Sequence, residues 1–426
     1  MKVLVIGSGG REHALCWKLR QSPLVEELYC APGNPGIAEI ADLAPIPADE
    51  IYQLADFATD LKIDLTVVGP ELPLTLGIAD EFASRGLAIF GPKQQAAELE
   101  GSKVFAKEFM KRHGIPTADF AIAHDADDAR QQAARFGFPV VLKADGLAAG
   151  KGVLIPKDQQ ELEQAVATFF DDRRFGGAGN RVVVEQCLEG EEVSFTCLSD
   201  GQLPLPLATA KDYKRLLDDD MGPNTGGMGS HSPAGVMASG VGAKILDDIV
   251  RPTLAGLDQE NRSFIGVLYV GLMLTDDGPK VLEYNVRLGD PECQALMLRL
   301  DTDLLPILHQ AATGRFDTLR LKFRKEASAL LVLASQGYPE KPRRGEVIEG
   351  LDGASAHEGV EIFHGSTALK GGRLVAAGGR VLGVGATGPS LRDALLRAYG
   401  AAQEISWPSK IMRHDIGRRV LLRGSS

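Results

Sequence analysis

Apolar and polar positions alternate in blocks along the first hundred residues of the chain. Val3 to Ile6 form a short apolar run that closes in Gly7-Ser8-Gly9-Gly10, and a helical stretch follows from Arg11 to about Gln21. Leu28 to Cys30 predicts a second strand, ending at Ala31-Pro32-Gly33-Asn34-Pro35-Gly36. Ile63 to Val68 predicts a third, ending at Gly69-Pro70-Glu71, and Leu87 to Phe90 a fourth, ending at Gly91-Pro92. Apolar strands separated by helices and stopped by Gly/Pro turns indicate a parallel sheet of βαβ type. Ligands of such sheets gather at the carboxyl ends of the strands, where these turns lie.

Past residue 100 the texture changes. A helix is predicted from Ser102 to His113, stopped by Gly114-Ile115-Pro116. Val140 to Ala144 and Val153 to Ile155 read as strands on either side of Asp145-Gly146-Leu147-Ala148-Ala149-Gly150-Lys151-Gly152. A helix from Gln159 to Phe170 and a strand from Arg181 to Glu185 come next, and Gly222 to Gly229 reads as a glycine-rich loop. Phe264 to Leu274, Asp276-Asp277-Gly278 and Lys280 to Asn285 have the form strand, turn, strand, a hairpin signature. From about Ser328 short β runs dominate (Leu330 to Ala334, Val360 to Phe363, Arg373 to Ala377, Arg380 to Val384), with one helix from Ser390 to about Ile405. The expected protein is α/β and multidomain. Its parts are an N-terminal parallel α/β domain over 1–101, a central unit over 102–327 and a small C-terminal β-rich domain over 328–426. A length of 426 residues suits three or four units, at about 100–200 residues each.

Composition narrows the function classes. A hydrophobic fraction of 44% and a charged fraction of 24% are ordinary for a soluble globular chain. The formal net charge of -11 argues against a general nucleic-acid binder, which carries a basic stripe. Small phosphorylated ligands stay compatible, since helix N-termini and a few placed lysines hold them locally. Cys16, Cys30, Cys187, Cys197 and Cys293 form no C-x-x-C pair and suit reduced thiols of a cytoplasmic protein. The apolar run after Met1 is too short for a signal segment. No stretch reaches the ~20 apolar residues of a membrane span, so no membrane partner is expected.

Four places carry candidate chemistry. Gly7-Ser8-Gly9-Gly10 follows a strand and opens a helix, where orphan N–H groups favour a phosphate, with Arg11 and His13 beside them. A purely structural tight turn is the alternative. The dinucleotide fingerprint fails here, because Glu12 stands where glycine is required and Ala31-Pro32 follows the second strand in place of an acid. Lys143 lies inside an apolar strand, where an ammonium is costly unless paired or facing a ligand. The glycines after it, Gly146, Gly150 and Gly152, let backbone N–H groups approach phosphate oxygens, with Lys151 adding charge; an ordinary hairpin turn is the plainer reading. Glu185 and Glu192 are surface carboxylates in isolation, but beside a nucleotide they can meet adenine and ribose. Glu283 and Asn285 alternate on one strand and share a face, a hard-oxygen pair suited to Mg²⁺, with Arg287 two positions on. Asp290 reads either as part of this turn or as a helix N-cap ahead of Pro291.

Taken together, these strings resemble the phosphoribosylamine–glycine ligase family (glycinamide ribonucleotide synthetases) of the ATP-grasp superfamily, over nearly the whole chain. Its markers stand as Gly7-Ser8-Gly9-Gly10-Arg11-Glu12-His13-Ala14-Leu15, Val68-Gly69-Pro70-Glu71, Gly101-Ser102-Lys103, and Lys143 to Val153. They continue in Gly222-Pro223-Asn224-Thr225-Gly226-Gly227-Met228-Gly229, Asn285-Val286-Arg287-Leu288-Gly289-Asp290-Pro291-Glu292 and Gly378-Gly379-Arg380-Val381-Leu382-Gly383-Val384. The resemblance implies an ATP-grasp core with a lid subdomain over about 121–187. It places Lys103 and Lys143 on the nucleotide phosphates, with Gly150, Lys151 and Gly152 in the covering loop. Glu185, Gln186, Cys187 and Leu188 would lie around adenine, Glu192 on the ribose, and Glu283 with Asn285 on Mg²⁺ or Mn²⁺. The family commonly has Phe where Leu288 stands and Gln where Lys211 precedes Asp212.

The chemistry that follows is ligation of glycine to 5-phosphoribosylamine with ATP, through a glycyl phosphate, in purine biosynthesis. Arg287, Lys143 and Asp212 are the expected catalytic residues, with Arg287 on the glycine carboxylate or acyl phosphate. Gly9, Gly10, Arg11, Glu71, Asn224 and Thr225 are expected to position phosphoribosylamine. The expected partners are small molecules only, on a monomer or weak homo-oligomer. Two rivals compete: an ATP-grasp carboxylase that activates bicarbonate, and an idle nucleotide sensor. The chain lacks a biotin-carrier Ala-Met-Lys-Met, and it keeps both Glu283 and Asn285.

Overall fold

A computed structural model describes residues 1–147, 152–171, 181–234, 240–317 and 320–423. The N-terminal sheet is parallel, in the order Asp42–Leu43, Glu27–Pro32, Lys2–Gly7, Leu65–Val68, Ile89–Phe90. Val3, Leu4, Val5 and Ile6 are fully buried, as a strand covered on both faces requires. The helix Gly10–Arg20 leaves the carboxyl end of the first strand. Further helices, Ile51–Leu61, Ile78–Ser84 and Gln94–Gly101, complete the unit.

Lys103–Arg112 is helical, and the Ser102 hydroxyl caps it by accepting the Phe105 N–H at 3.1 Å. An antiparallel sheet follows, ordered Phe120–Ala123, Val182–Gln186, Val140–Ala144, Val153–Leu154. Helices Ala126–Phe136 and Gln159–Val166 close its apolar face through Ala129, Ala133, Leu162 and Val166 against Val140, Leu142 and Val184. The second helix stops its regular α geometry at Val166 and runs on as a wider π turn over Ala167–Asp171.

A second antiparallel sheet carries Pro204–Pro206, Glu191–Asp200, Ile265–Thr275 and Gly278–Asn285. Its last two strands are the predicted hairpin. The two sheets meet where the Lys143 ammonium donates to the Leu282 carbonyl at 2.9 Å. The strand Val182–Gln186 ends directly before Glu191–Asp200, so residues 187–190 are the short bridge between the sheets.

The C-terminal sheet differs from the sequence expectation in its membership. Ala327–Ser335, Arg380–Gly388 and Val360–His364 form its centre, with helix Leu391–Glu404 packed against it. Strands Gly229–Ser232 and Lys211–Asp212, from far upstream, extend its edge. Residues 222–229, expected as a loop, are therefore partly strand. Met221–Asn224 pairs with Arg215–Leu217, and Gly229 begins the strand that lies on Ala327–Ser335. A Cβ on Gly229 would sit 2.8 Å from the Leu330 carbonyl, so glycine here permits a close backbone approach.

Candidate active site

The turn after the first strand is filled from within. Glu12 folds back on its own helix N-terminus, and one carboxylate oxygen accepts the Gly9 N–H at 2.6 Å. The other takes the Arg11 Nε–H at 2.6 Å. A Cβ on Gly69 would stand 2.1 Å from that Glu12 oxygen, so the glycine of Val68-Gly69-Pro70 makes room for this carboxylate. Arg11 is buried, and its remaining reach goes to the Leu288 carbonyl at 3.1 Å. Gly10 faces the Gln294 amide, which would lie 2.7 Å from a Cβ there. His13 is engaged inside the protein: its Nδ1 accepts the His364 N–H at 2.8 Å, and burial, with His364 beside it, lowers its pKa to about 3. A neutral ring at that place supplies no cation. Asn34 ties the same corner together, donating to the carbonyls of Ser8 at 2.9 Å and His364 at 2.8 Å.

Arg287 lies at the end of the hairpin strand and gathers acids from the N-terminal unit. Its Nε donates to Glu71 at 3.1 Å and its Nη2 approaches Glu100 at 2.9 Å. Further bonds reach Asn285 at 3.2 Å and the Leu288 carbonyl at 3.2 Å. Although burial disfavours the guanidinium, Glu100 and Glu71 hold its pKa above the usual arginine value. Burial raises the Glu100 carboxyl even with Arg287 beside it, whereas Glu71, also desolvated, is drawn below the ordinary range by Arg287 and Arg11. Glu283 likewise pays for burial, but Lys214, Lys143 and Lys103 hold its pKa low.

Across the cleft, Lys143 projects from its strand onto Glu185, Nζ to the two oxygens at 3.0 and 3.1 Å. Lys107 approaches the same carboxylate at 2.9 Å, and burial lowers its ammonium to about 8 despite that partner. Glu185 is thus a buried counter-ion to two lysines. Gln186 ends its strand and is exposed, and Cys187 and Leu188, on the bridge between the sheets, are half-buried. Lys103, in the first turn of its helix, donates to the Gly146 carbonyl at 3.0 Å, and burial depresses its pKa. Asp145 fixes this turn by accepting the Ser102 hydroxyl at 2.8 Å and the Val104 N–H at 3.1 Å. Gly152 is buried, and its carbonyl accepts the Ala144 N–H at 2.8 Å. Gly150 and Lys151 lie outside the described residues.

The floor of the cleft is acidic around one lysine. Lys214 Nζ lies 2.6 Å from Glu192 and 3.8 Å from Glu283. Asp212 is close by, and burial, with Glu292, Glu192 and Glu283 adding to it against the pull of Lys214, pushes its carboxyl up to about 7. Thr225 is turned inward: its hydroxyl and its N–H both donate to the Lys214 carbonyl at 2.8 Å, and the same hydroxyl accepts the Gly227 N–H at 3.0 Å. Its role in this structure is to hold the Lys214 backbone. Asn224 is half-buried on the strand beside it. Asp290 is not a helix cap. Pro291 holds the cap position of helix Glu292–Arg299, and the Asp290 carboxylate pairs with Arg380 of the C-terminal sheet at 2.9 Å. Arg380 also takes the Gly226 carbonyl at 2.6 Å, so it ties the glycine-rich segment to the turn after Arg287.

The sequence-derived residues Lys103, Lys143, Glu192, Asp212, Glu283, Asn285 and Arg287 converge on one cleft through these contacts and shared charges. Glu71 joins them through Arg287. Lys107, Glu100, Lys214, Glu292 and Arg380 escaped the sequence reading as site residues. Glu100 stands beside Gly101-Ser102-Lys103 and Lys214 beside Asp212, but an isolated acid or lysine carries no signal of burial. The donor set fits a cation that shares phosphate oxygens. Glu283 and Asn285 offer two hard oxygens from one strand face, and among the described residues no group of three His, Cys, Asp or Glu forms a protein cage.

Two antiparallel sheets joined by a short bridge, with Lys143 of the first reaching the Leu282 carbonyl beside Glu283 of the second, are the arrangement of the ATP-grasp class of enzyme. Models described as the N domain, the ATP-grasp (A) domain and the C domain of phosphoribosylglycinamide synthetase match residues 1–100, 101–293 and 328–419. The chain belongs to the phosphoribosylglycinamide synthetase family. It is 49% identical over 423 residues to the phosphoribosylamine–glycine ligase of Brucella melitensis, covering 99% of each chain. A solved phosphoribosylamine–glycine ligase from Thermotoga maritima superposes with a TM-score of 0.85 at 34% identity, covering 97% of this chain and 100% of that one. A biotin carboxylase from Campylobacter jejuni shares the fold, with a TM-score of 0.73 at 15% identity over 96% of this chain and 92% of that one.

Proposed function

We infer that the chain is a carbon–nitrogen ligase that joins glycine to 5-phosphoribosylamine, forming glycinamide ribonucleotide, ADP and phosphate in purine biosynthesis. Full-length identity of 49% to a relative of that name carries the reading, and the cleft supplies groups that suit the chemistry. A carboxylate oxygen of glycine attacks the γ-phosphorus of ATP, and ADP departs. The amine nitrogen of phosphoribosylamine then attacks the acyl carbon of glycyl phosphate. The bond from the acyl carbon to the phosphorylated oxygen breaks, phosphate leaves carrying that oxygen, and the nitrogen loses a proton. The protein's part is to orient the reactants, balance charge and exclude water from the acyl phosphate.

Lys103 and Lys143 take phosphate charge in this account. Gln186 at its strand end, with Cys187 and Leu188 on the bridge, lines adenine, and Glu192 takes the ribose. Glu185 sets the position of Lys143. Arg287 takes the glycine carboxylate; of the five N–H donors of a guanidinium, the contacts to Glu71, Glu100, Asn285 and Leu288 leave one for it. Asp212, with its carboxyl near 7, is the proton acceptor we assign. Gly9, Gly10, Arg11, Glu71 and Asn224 border the phosphoribosylamine side, with Thr225 acting through the loop it fixes. Glu283 and Asn285 would hold Mg²⁺ or Mn²⁺, which would supply charge neutralisation for the triphosphate.

No helix among the described residues is long and apolar enough to cross a membrane. The cysteines are all free, which fits the reducing cytoplasm we assign. We assign a monomer or weak homo-oligomer. The functional test is ADP release with glycine and phosphoribosylamine each omitted in turn. Dependence on both is expected, and ADP release that ignores glycine would reject the reading.

A further inference from the structure

Lys214 is the only cation paired with Glu192 among the described contacts, and it also approaches Glu283. These are the carboxylates assigned above to the ribose and the metal. Asp212 adds to the acids around it, and Lys143 and Lys103 share with it in offsetting Glu283. Its backbone is pinned from behind by both Thr225 bonds to the Lys214 carbonyl at 2.8 Å. Its side chain is a flexible four-carbon stem, about a third exposed. Glu192 and Glu283 therefore have an ammonium beside them without nucleotide, on a side chain that can withdraw.

We propose that Lys214 is a resident cation that keeps the divalent ion out of the cleft until nucleotide arrives. A bare divalent ion entering this floor would have to displace the ammonium from Glu283 and Glu192. It would gain only two oxygen donors, Glu283 and Asn285, from the metal-binding strand. The metal–nucleotide brings its own phosphate oxygens and a ribose for Glu192, and so replaces both of the contacts that Lys214 gives up. Lys214 is in this sense a positioning residue: it orders metal after nucleotide. The inference rests on the nucleotide and metal reading of the same cleft.

The test is Mn²⁺ titration of the full-length protein without nucleotide, followed by the paramagnetic resonance signal of free Mn²⁺. Removing the ammonium leaves the acids unbalanced. Lys214→Met is therefore expected to take up Mn²⁺ at least about tenfold more tightly than the parent, with Lys214→Gln as a polar alternative should Met disturb folding. Lys214→Arg, which keeps the charge, is expected to behave as the parent. Adding Glu283→Gln to Lys214→Met is expected to abolish the gain. Equal Mn²⁺ affinity in the parent and in Lys214→Met or Lys214→Gln would overturn the proposal, as would a gain that survives Glu283→Gln. A parent that takes up no Mn²⁺ even with a non-hydrolysable ATP analogue would instead reject the metal reading itself, and the inference with it.

Discussion

Two buried charged regions of this molecule look alike in sequence and differ in how their charges are settled. At the corner between the N-terminal and C-terminal units, Arg11 pairs with Glu12, Glu12 caps its own helix, and His13 and His364 are neutral and hydrogen-bonded. Every charge there has a partner inside the protein. In the cleft, Lys103 faces a backbone carbonyl, Lys214 balances several acids, and Asp212 is lifted to about 7. Those charges are incompletely matched, and the imbalance is what a triphosphate, a divalent cation and a carboxylate would settle. Paired interior charge marks structure, and unbalanced charge in a cleft marks a ligand site.

The largest effect should come from Arg287, which spans both kinds of region. Arg287→Met leaves Glu71 and Glu100 with Arg11 alone to offset them and removes the cation they contact directly. Breaking a buried pair in this way costs about 3–5 kcal/mol. A comparable drop in unfolding free energy in urea is expected, and a variant as stable as the parent would show that the two acids relax to water.

Lys143→Ala comes next. One charge-assisted contact is worth roughly 1.5–3 kcal/mol, so turnover should fall at least tenfold while the fold persists, because Lys107 still neutralises Glu185. Unchanged turnover in a folded protein would move Lys143 from the ligand side of the comparison to the structural side.

The smallest effect concerns the corner. His13 and His364 have folded pKa values lowered by burial to about 3 and about 4, below the unfolded value near 6.5. The unfolded chain therefore binds more protons between those limits. Their contribution is fully present above pH 6.5 and is lost as pH falls toward 4. Each histidine should cost about 1.4 kcal/mol of stability at pH 5.5. The double variant His13→Asn with His364→Asn should have a flatter stability profile between pH 6.5 and 4, and an unchanged slope would place the protonation elsewhere.

Much of this organisation was legible in local pattern. The apolar runs at Val3–Ile6 and Val140–Ala144, the Asp-Gly hairpin turn after Leu274 and the helix after Ser390 all carry their cause within a few residues. What stayed hidden depends on partners far away in sequence. The segment Met221–Asn224 reads as a loop because Gly and Pro disfavour strands, and becomes one only by pairing with Arg215–Leu217. The run Gly7-Ser8-Gly9-Gly10 suggested a phosphate loop, but the space beside Gly7 and Gly69 is taken by Glu12. Lys214 had no signal of its own, since its meaning comes from Glu192, Glu283 and Thr225 converging from three other strands or loops.

We propose that the unbalanced cleft activates the glycine carboxylate as an acyl phosphate. Glycine carrying heavy oxygen in its carboxylate, supplied with ATP and phosphoribosylamine, tests it directly by mass spectrometry of the released phosphate. One heavy oxygen is expected in inorganic phosphate for each ADP formed. Product formation with unlabelled phosphate, or with label in AMP, would contradict it.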